Sequence, residues 1–150
     1  MSKPVIIGMN NPISADPKHA LYPVPPGSAG GRLYAMLKER LPNITMRQYR
    51  DGFSRVNLVQ GRWSLHKAKL VGPAFRELLS ASEKDVLVLG NEAWDALGLP
   101  QSQGPLWKLE LDGVRWRLIP HPSGRNRWYD DPANRIIVGM ILEELIRRET

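Results

Sequence analysis

Two segments, one near each end of the chain, place polar side chains directly after strand-like runs. Asn10 and Asn11 follow the apolar run 5–9, and His121 follows the segment 114–119. A strand that ends in polar groups delivers them to the edge of a sheet. Amide and imidazole groups hold a water molecule or the edge of a planar ring through directed hydrogen bonds. We therefore expect a site for a polar planar ligand.

The residues that follow His121 are of the types that contact phosphates, namely Ser123, Gly124, Arg125, Asn126 and Arg127. Serine hydroxyls, backbone amides and arginine side chains are the usual phosphate ligands. A purely structural turn with a capping serine is the alternative interpretation. The formal net charge of +6 favours a polyanionic partner through counterion release, and we expect a nucleic acid or nucleotide.

Two further side chains are candidates for binding a ring. Tyr22 lies in the Pro- and Gly-rich segment 10–31, where an aromatic side chain is either a stacking platform or an anchor of the loop. Asn57 lies inside the apolar run 55–59, and a buried amide must find hydrogen-bond partners. It either ties down a neighbouring loop or presents a donor and an acceptor side by side to a pyrimidine edge. The sequence leaves both pairs of alternatives open.

The composition excludes several kinds of chemistry. The chain has no cysteine, which excludes disulfides, thiolate zinc sites, Fe–S clusters and a cysteine nucleophile. His19 and His66 have no carboxylates at metal-ligand spacing, and no phosphate-loop or dinucleotide motif is present, so we expect neither metal nor cofactor. No run is apolar enough to span a bilayer and the start does not resemble a signal peptide. We expect no membrane contact and a location in bacterial or viral-host cytoplasm, associated with the nucleoid.

Strands alternate with helices along the chain. The patterns predict strands at 5–9, 55–59, 86–90, 107–111 and 114–119, the last two joined by the hairpin turn Asp112-Gly113. They predict helices at 31–41, 65–80, 92–97 and 133–148. In the second helix Gly72-Pro73 predicts an interruption, and Asn91 is expected to cap the third. The expected buried face of the fourth consists of Ile137, Ile141, Leu142 and Leu145.

This alternation predicts an α/β fold with three layers, α/β/α, around a mostly parallel central sheet. A chain of 150 residues suits a single domain spanning 1–150, which we expect to be a monomer. In such sheets ligands bind beyond the carboxyl ends of the strands. That rule gathers the loops after residues 9, 59, 89 and 119 at one edge.

Taken together, these motifs resemble the uracil-DNA glycosylase superfamily. The segment 8–12, Gly-Met-Asn-Asn-Pro, is similar to the family's water-positioning motif. The segment 121–126, His-Pro-Ser-Gly-Arg-Asn, is similar to its leaving-group and DNA-intercalation loop. Residues 21–33 resemble the part that carries the base-stacking aromatic, 56–58 the strand with the pyrimidine-reading Asn, and 86–93 the third core strand with its helix. The order matches over nearly the whole chain, and the forms are closest to those of the single-strand-selective monofunctional and the mismatch-specific thymine/uracil enzymes.

The resemblance implies hydrolysis of the N-glycosidic bond of a flipped-out uracil or 5-modified pyrimidine in DNA. It makes Asn10, which would orient the attacking water, and His121, which would stabilise the leaving base, the catalytic residues. The residues it places at the base are Met9, Asn11, Tyr22 and Asn57. The loop 123–127 would hold the DNA.

Two departures from the family's pattern leave other activities open. Asn11 stands where most relatives have proline, so Asn10 and Asn11 compete for the catalytic position. The first motif also lacks the aromatic residue that excludes 5-methyl groups in strict uracil enzymes, which leaves room for bases such as 5-hydroxymethyluracil. The alternatives are a catalytically silent relative that binds a modified base or DNA end, an enzyme acting on free nucleotides or nucleosides, and an enzyme that alters DNA bases without removing them.

Overall fold

The sheet has five strands in the order β2-β1-β3-β5-β4, and the computed structural model describes residues 3–11, 14, 16–79 and 84–148. The strands within these ranges are β1 (Val5–Asn11), β2 (Ser54–Gln60), β3 (Asp85–Leu89), β4 (Lys108–Leu111) and β5 (Val114–Ile119). The α-helices there are α1 (Ala29–Arg40), α2 (Met46–Gly52), α3 (Leu65–Leu79), α4 (Asn91–Ala96) and α5 (Pro132–Arg147). Short 3-10 turns cover Pro17–His19 and Arg127–Asp130.

The predicted α/β class with a mostly parallel sheet is confirmed. Strands β2, β1, β3 and β5 pair in parallel, and β4 pairs antiparallel with β5 at one edge. Successive side chains of a strand point to opposite faces of the sheet. Ile6 and Leu87 pack with α1 and α5 in one apolar cluster, while Ile7 and Val88 pack with α3 and α4 in another. Helices on both faces are compatible with the expected three-layer arrangement.

The hairpin prediction is also confirmed, because its turn residues have the backbone conformation that a two-residue hairpin needs. Asp112 and Gly113 have φ values of 57° and 75°. Such positive angles at both central positions are typical of a type I′ turn, whose twist matches that of the flanking strands.

Three details of the helices differ from the sequence prediction. Helix α3 continues through Pro73 instead of breaking there. Proline removes one helical hydrogen bond, the one to the carbonyl of Lys69, and both residues lie on the exposed side of α3, where solvent can satisfy that carbonyl. Gly90, not Asn91, is the N-cap of α4. In α5 the buried face includes Val138 and not Ile137, which is exposed. The buried positions 138, 141, 142 and 145 follow the helical repeat.

Helix α2 was missed, although its start carries a recognisable signal. The Thr45 side chain accepts a hydrogen bond from the backbone N–H of Gln48, and the Gln48 side chain accepts one from the backbone N–H of Thr45. This reciprocal pair is the capping box, which satisfies two helix-end donors. In the described ranges, every helix falls short of the length and apolar character that a membrane span requires.

The amino edge of the sheet is held by ion pairs. The Asp85 carboxylate accepts hydrogen bonds from Arg115 Nε at 2.7 Å and from Arg148 Nη1 at 3.0 Å. Partial burial raises the pKa of Asp85, but the hydrogen bonds and charges of the two arginines outweigh it, so its pKa lies below the ordinary value. A carboxyl whose pKa is lowered by folding stabilises the folded state above its unfolded pKa, and that contribution is lost as the pH falls through the folded pKa.

We predict that Asp85→Asn lowers the free energy of unfolding at pH 7 by about 1 kcal/mol, the upper end for pairs whose arginines are half exposed. The difference from the wild type should begin to shrink as the pH falls below about 4, the ordinary pKa of an aspartate, and should vanish below the lower folded-state pKa, where the wild-type carboxyl is protonated as well. Urea unfolding of both proteins at pH 7 and at a pH below the folded-state pKa of Asp85 measures the two differences in free energy. Asp51→Asn is the matched control, because the Asp51–Arg47 pair is almost fully exposed and its loss should change nothing. An equal difference at both pH values would contradict the electrostatic explanation.

Candidate functional site

A cavity of about 590 Å³ lies at the carboxyl edge of the sheet. It is bounded by the end of β1, the segment that leads to α1, and the loop after β5. Of the residues predicted from the sequence, those that line it are Asn10, Asn11, Tyr22, His121 and Ser123. The two ends of the chain therefore contribute to a single site.

Strand β3, which lies between β1 and β5, ends in a glycine turn next to His121. Strand β3 ends at Leu89, and Gly90 follows with a φ of 94°, a conformation that side chains disfavour. The backbone N–H of Gly90 donates to the carbonyl of Ile119 at 2.8 Å, which joins the ends of β3 and β5. A Cβ on Gly90 would lie only 3.2 Å from the Cβ of His121. The absence of a side chain here lets His121 occupy its position.

Asn10 presents an acceptor to the cavity. Its Nδ2 donates to the carbonyl of Gly61 at 2.7 Å, which fixes the orientation of the amide. None of the described residues forms a hydrogen bond with its Oδ1. An acceptor held in place can orient a water molecule by receiving one of its hydrogens.

The side chain of Asn11 is engaged at both ends of its amide. Its Oδ1 accepts from the backbone N–H of Ser14 at 3.1 Å, and its Nδ2 donates to the carbonyl of His19 at 3.1 Å. Asn11 therefore ties the following segment to the end of β1. Of the two competing asparagines, Asn10 is the one with an acceptor left for a ligand.

His121 is held by its backbone while its ring stays available. Asn126 Nδ2 donates to the carbonyl of His121 at 3.0 Å, and the backbone N–H of Ser123 donates to the same carbonyl at 2.9 Å. Among the described residues, none forms a hydrogen bond with the imidazole itself. Burial lowers the pKa of His121, and the charge of Glu92 offsets this only in part. A pKa below the ordinary value favours the neutral ring at pH 7, which carries one N–H donor.

Tyr22 both lines the cavity and is anchored behind it. Arg50 Nη1 donates to its hydroxyl at 2.8 Å, and the guanidinium groups of Arg50 and Arg55 lie 5.2 and 5.8 Å from the ring centre. The His19 ring meets it edge to face, with 5.4 Å between the centres. These contacts make Tyr22 an anchor of its loop, and the residue also lines the cavity.

Asn57 and Met9 do not line the cavity. Asn57 pairs with Gly8 across β1 and β2 and is only 4% exposed. Leu21, which lines the cavity, lies against Gly8 beside the Asn57 amide. No described residue hydrogen-bonds to Asn57 Oδ1. Neighbouring side chains of a strand point to opposite faces, so Met9 packs against the cluster that contains α3, and it lines a separate cavity that His121 also borders.

The loop after His121 divides between structural and exposed residues. Asn126 is structural, because its Oδ1 accepts from the backbone N–H of Trp128 at 3.1 Å while its Nδ2 holds the carbonyl of His121. This differs from the prediction that Asn126 contacts a phosphate. Gly124, Arg125 and Arg127 are exposed and stand free of the core.

The cavity residues that were not predicted include a polar pair, Ser14 and His19. Ser14 Oγ lies 2.9 Å from His19 Nδ1, and both side chains line the cavity. His19 was not predicted as a site residue because no carboxylates lie at metal-ligand spacing from it in the sequence. Its place in the loop that follows the first strand was the available signal. Within the described ranges, no three histidine or acidic side chains come together as a metal site would require.

A scan against models of protein families finds no family that matches the chain, and a search of curated proteins finds no significant match.

We predict that Gly90→Ala lowers the free energy of unfolding by about 1–3 kcal/mol, because alanine is strained at this φ and its Cβ would crowd that of His121. Thermal unfolding measures the change. Gly104→Ala is the matched control, since a Cβ there meets nothing within 4 Å. A Gly90→Ala variant as stable as the control would show that the turn tolerates a side chain.

Proposed function

We propose that the protein is a DNA glycosylase that hydrolyses the N-glycosidic bond of a flipped-out uracil or 5-modified pyrimidine. One observation carries the proposal: Asn10 and His121, from opposite ends of the chain, line the same cavity, one with an open acceptor and the other with an open neutral ring. These are the two groups that the sequence resemblance makes catalytic.

His121 would stabilise the departing base. When the bond between C1′ of the sugar and N1 of the pyrimidine breaks, negative charge develops on the base, including its O2 oxygen. A neutral imidazole donates a hydrogen bond to that oxygen without giving up its proton. Because His121 is largely removed from water, this bond is stronger than it would be in solvent.

Asn10 would hold the attacking water. Its Nδ2 is occupied by Gly61, so its Oδ1 can receive a hydrogen of the water and aim the oxygen lone pair at C1′. An amide cannot take up a proton. The reaction would therefore depend strongly on how readily the base leaves, which favours uracil and pyrimidines with electron-withdrawing 5-substituents.

The surface beside the cavity suits a nucleic-acid backbone. Arg125 and Arg127 are exposed in the loop that continues from His121, and Ser123 of the same loop lines the cavity. Flipping a base out of a duplex costs a few kcal/mol, which contacts to the phosphates and the vacated stack offset. In this proposal the loop 123–125 and Arg127 hold the DNA, and Tyr22 supplies a surface for the flipped ring.

Asn57 would read the base only after a local movement. Its amide has an acceptor without a partner, an arrangement that costs stability unless a ligand satisfies it. A base that reaches Asn57 would have to displace Leu21 from its place beside Gly8. The covered position of Asn57 also favours the second candidate, a silent relative that binds a base in the outer part of the cavity without cleaving it.

We predict that the wild-type protein releases free base from at least one of a panel of single- and double-stranded oligonucleotides containing uracil, 5-hydroxymethyluracil or mismatched thymine. His121→Ala should lower the rate by about 10²–10³-fold, as expected for the loss of one donor to a developing oxyanion. Asn10→Ala should also lower it strongly. Chromatography of the freed base, with alkaline cleavage of the abasic strand, measures release.

His66→Ala and Asn43→Ala are the matched controls, because they remove the same residue types at exposed positions away from the cavity. Both should cleave like the wild type. Salt-sensitive DNA binding with no base released from any substrate would support the silent relative. Mass spectrometry of the treated DNA would reveal an altered base that is not released.

We predict that Asn57→Ala separates activity from stability. Because the amide makes no hydrogen bond among the described residues, its removal should change the free energy of unfolding by less than about 1 kcal/mol, while base release falls. Leu58→Ala, at the neighbouring buried position, should instead cost about 2–5 kcal/mol. Urea unfolding and the base-release assay measure the two effects. A destabilised Asn57→Ala variant with normal turnover would assign Asn57 a purely structural role.

A further inference from the structure

The cavity contains a second imidazole beside that of His121. His19 lines it together with Ser14, whose Oγ lies 2.9 Å from His19 Nδ1. The His19 ring also packs edge to face on Tyr22. The proposed mechanism assigns no role to this pair, although an imidazole is the side chain best suited to accept a proton near neutral pH.

Asn11 holds this pair next to Asn10. Its Oδ1 accepts from the backbone N–H of Ser14, and its Nδ2 donates to the carbonyl of His19. The Asn11 side chain therefore holds the backbone of both residues, and Asn11 directly follows Asn10 in β1. The contact brings a proton acceptor to the strand end that would hold the attacking water.

The hydrogen bonds around Ser14 allow the tautomer of His19 that a base acting through Nε2 requires. The backbone N–H of Asp16 donates to Ser14 Oγ at 3.2 Å, which leaves that oxygen a second lone pair. When His19 carries its proton on Nδ1, it can donate that proton to the same oxygen. The lone pair of the neutral ring then lies on Nε2, the nitrogen that Ser14 does not contact.

We propose that His19 is the general base of the reaction, taking a proton from the water that Asn10 orients, and that Ser14 is the residue that positions its ring. The inference rests on the proposed glycosylase function, and it supplies the proton acceptor that the Asn10 amide cannot be. His121 remains with the leaving base, so the cavity would hold one imidazole for each side of the broken bond.

The water oxygen forms a bond to C1′ of the deoxyribose as the bond from C1′ to N1 of the base breaks, and the electron pair of that bond leaves with the base. One water proton passes to His19 Nε2. The base anion, held by His121, then takes up a proton from solvent, and the His19 imidazolium returns its proton to solvent. The products are the free base and an abasic sugar with a hydroxyl on C1′.

Several charged and titratable groups surround the His19 ring. Asp16 and Lys18 belong to the same turn as His19, and Tyr22 packs on its ring. Arg50 and Arg55 lie against the Tyr22 ring, and His121 lines the same cavity. A pH profile of the wild type alone would combine their effects. The test therefore compares the profile with that of a variant that lacks only the His19 base.

His19→Gln should lower the single-turnover rate of base release about 10²-fold, at the low end for loss of a general base, with little change in DNA affinity. The fall in rate on the acid side of the wild-type profile should flatten in this variant, because glutamine has no proton to gain. Ser14→Ala should show a smaller loss in rate, and Ser14→Thr should restore it by restoring the hydroxyl. His66→Gln, at an exposed position outside the cavity, is the matched control and should behave like the wild type.

The outcomes separate this inference from the proposed function. If the wild type releases no base from any substrate, both fall. If the wild type releases base and His19→Gln keeps both its rate and its fall in rate on the acid side of the pH profile, only the role of His19 is wrong. Proton–nitrogen correlation NMR of the free protein gives a readout independent of activity, because a neutral His19 protonated on Nε2 would overturn the inference, whereas protonation on Nδ1 supports it. Unchanged thermal unfolding of His19→Gln would exclude a loss of folding as the cause of a lower rate.

Discussion

The parallel pairing of β3 with both β1 and β5 is the constraint on which the site depends. It aligns the carboxyl ends of strands from the two ends of the chain, and β3 stops between them at Leu89. The turn at Gly90 joins β3 to β5 through the carbonyl of Ile119 and leaves room for His121. A side chain at Gly90 would crowd His121, so the position of His121 depends on the backbone conformation of this turn.

The fold satisfies its polar groups unevenly. At the amino edge of the sheet, two arginines bind the Asp85 carboxylate and compensate its charge. By contrast, Asn57 Oδ1 in the middle of β2 and the Nε atoms of Arg50 and Arg55 are buried without hydrogen-bond partners among the described residues. Unsatisfied buried groups cost stability, and proteins tolerate them where a ligand or a reaction uses them. In the proposed function Asn57 Oδ1 is such a group, because a flipped base would satisfy it.

How far sequence reasoning reached depended on the range of the interaction concerned. The hairpin at Asp112-Gly113 could be predicted because a two-residue turn is specified by its own residues. The start of α2 could have been predicted from Thr45 and Gln48 for the same reason. The continuation of α3 through Pro73 could not, because it depends on which side of the helix faces water. The contact of His19 with Ser14 could not either, since it arises from the way the loop folds back onto Asn11.

The sequence by itself determined the alternation of strands and helices, the parallel sheet and the polar residues at the ends of the first and last parallel strands, since these follow from local periodicity and turn chemistry. Only the tertiary structure decided which of those residues share a cavity. It gave Asn10 an open acceptor by occupying its Nδ2 and engaged both ends of the Asn11 amide, although the two residues are identical in type and adjacent. It also placed Asn57 behind Leu21 and turned Met9 to the other face. Residue type sets what a side chain can do, but its neighbours in space set which of its atoms remain free to do it.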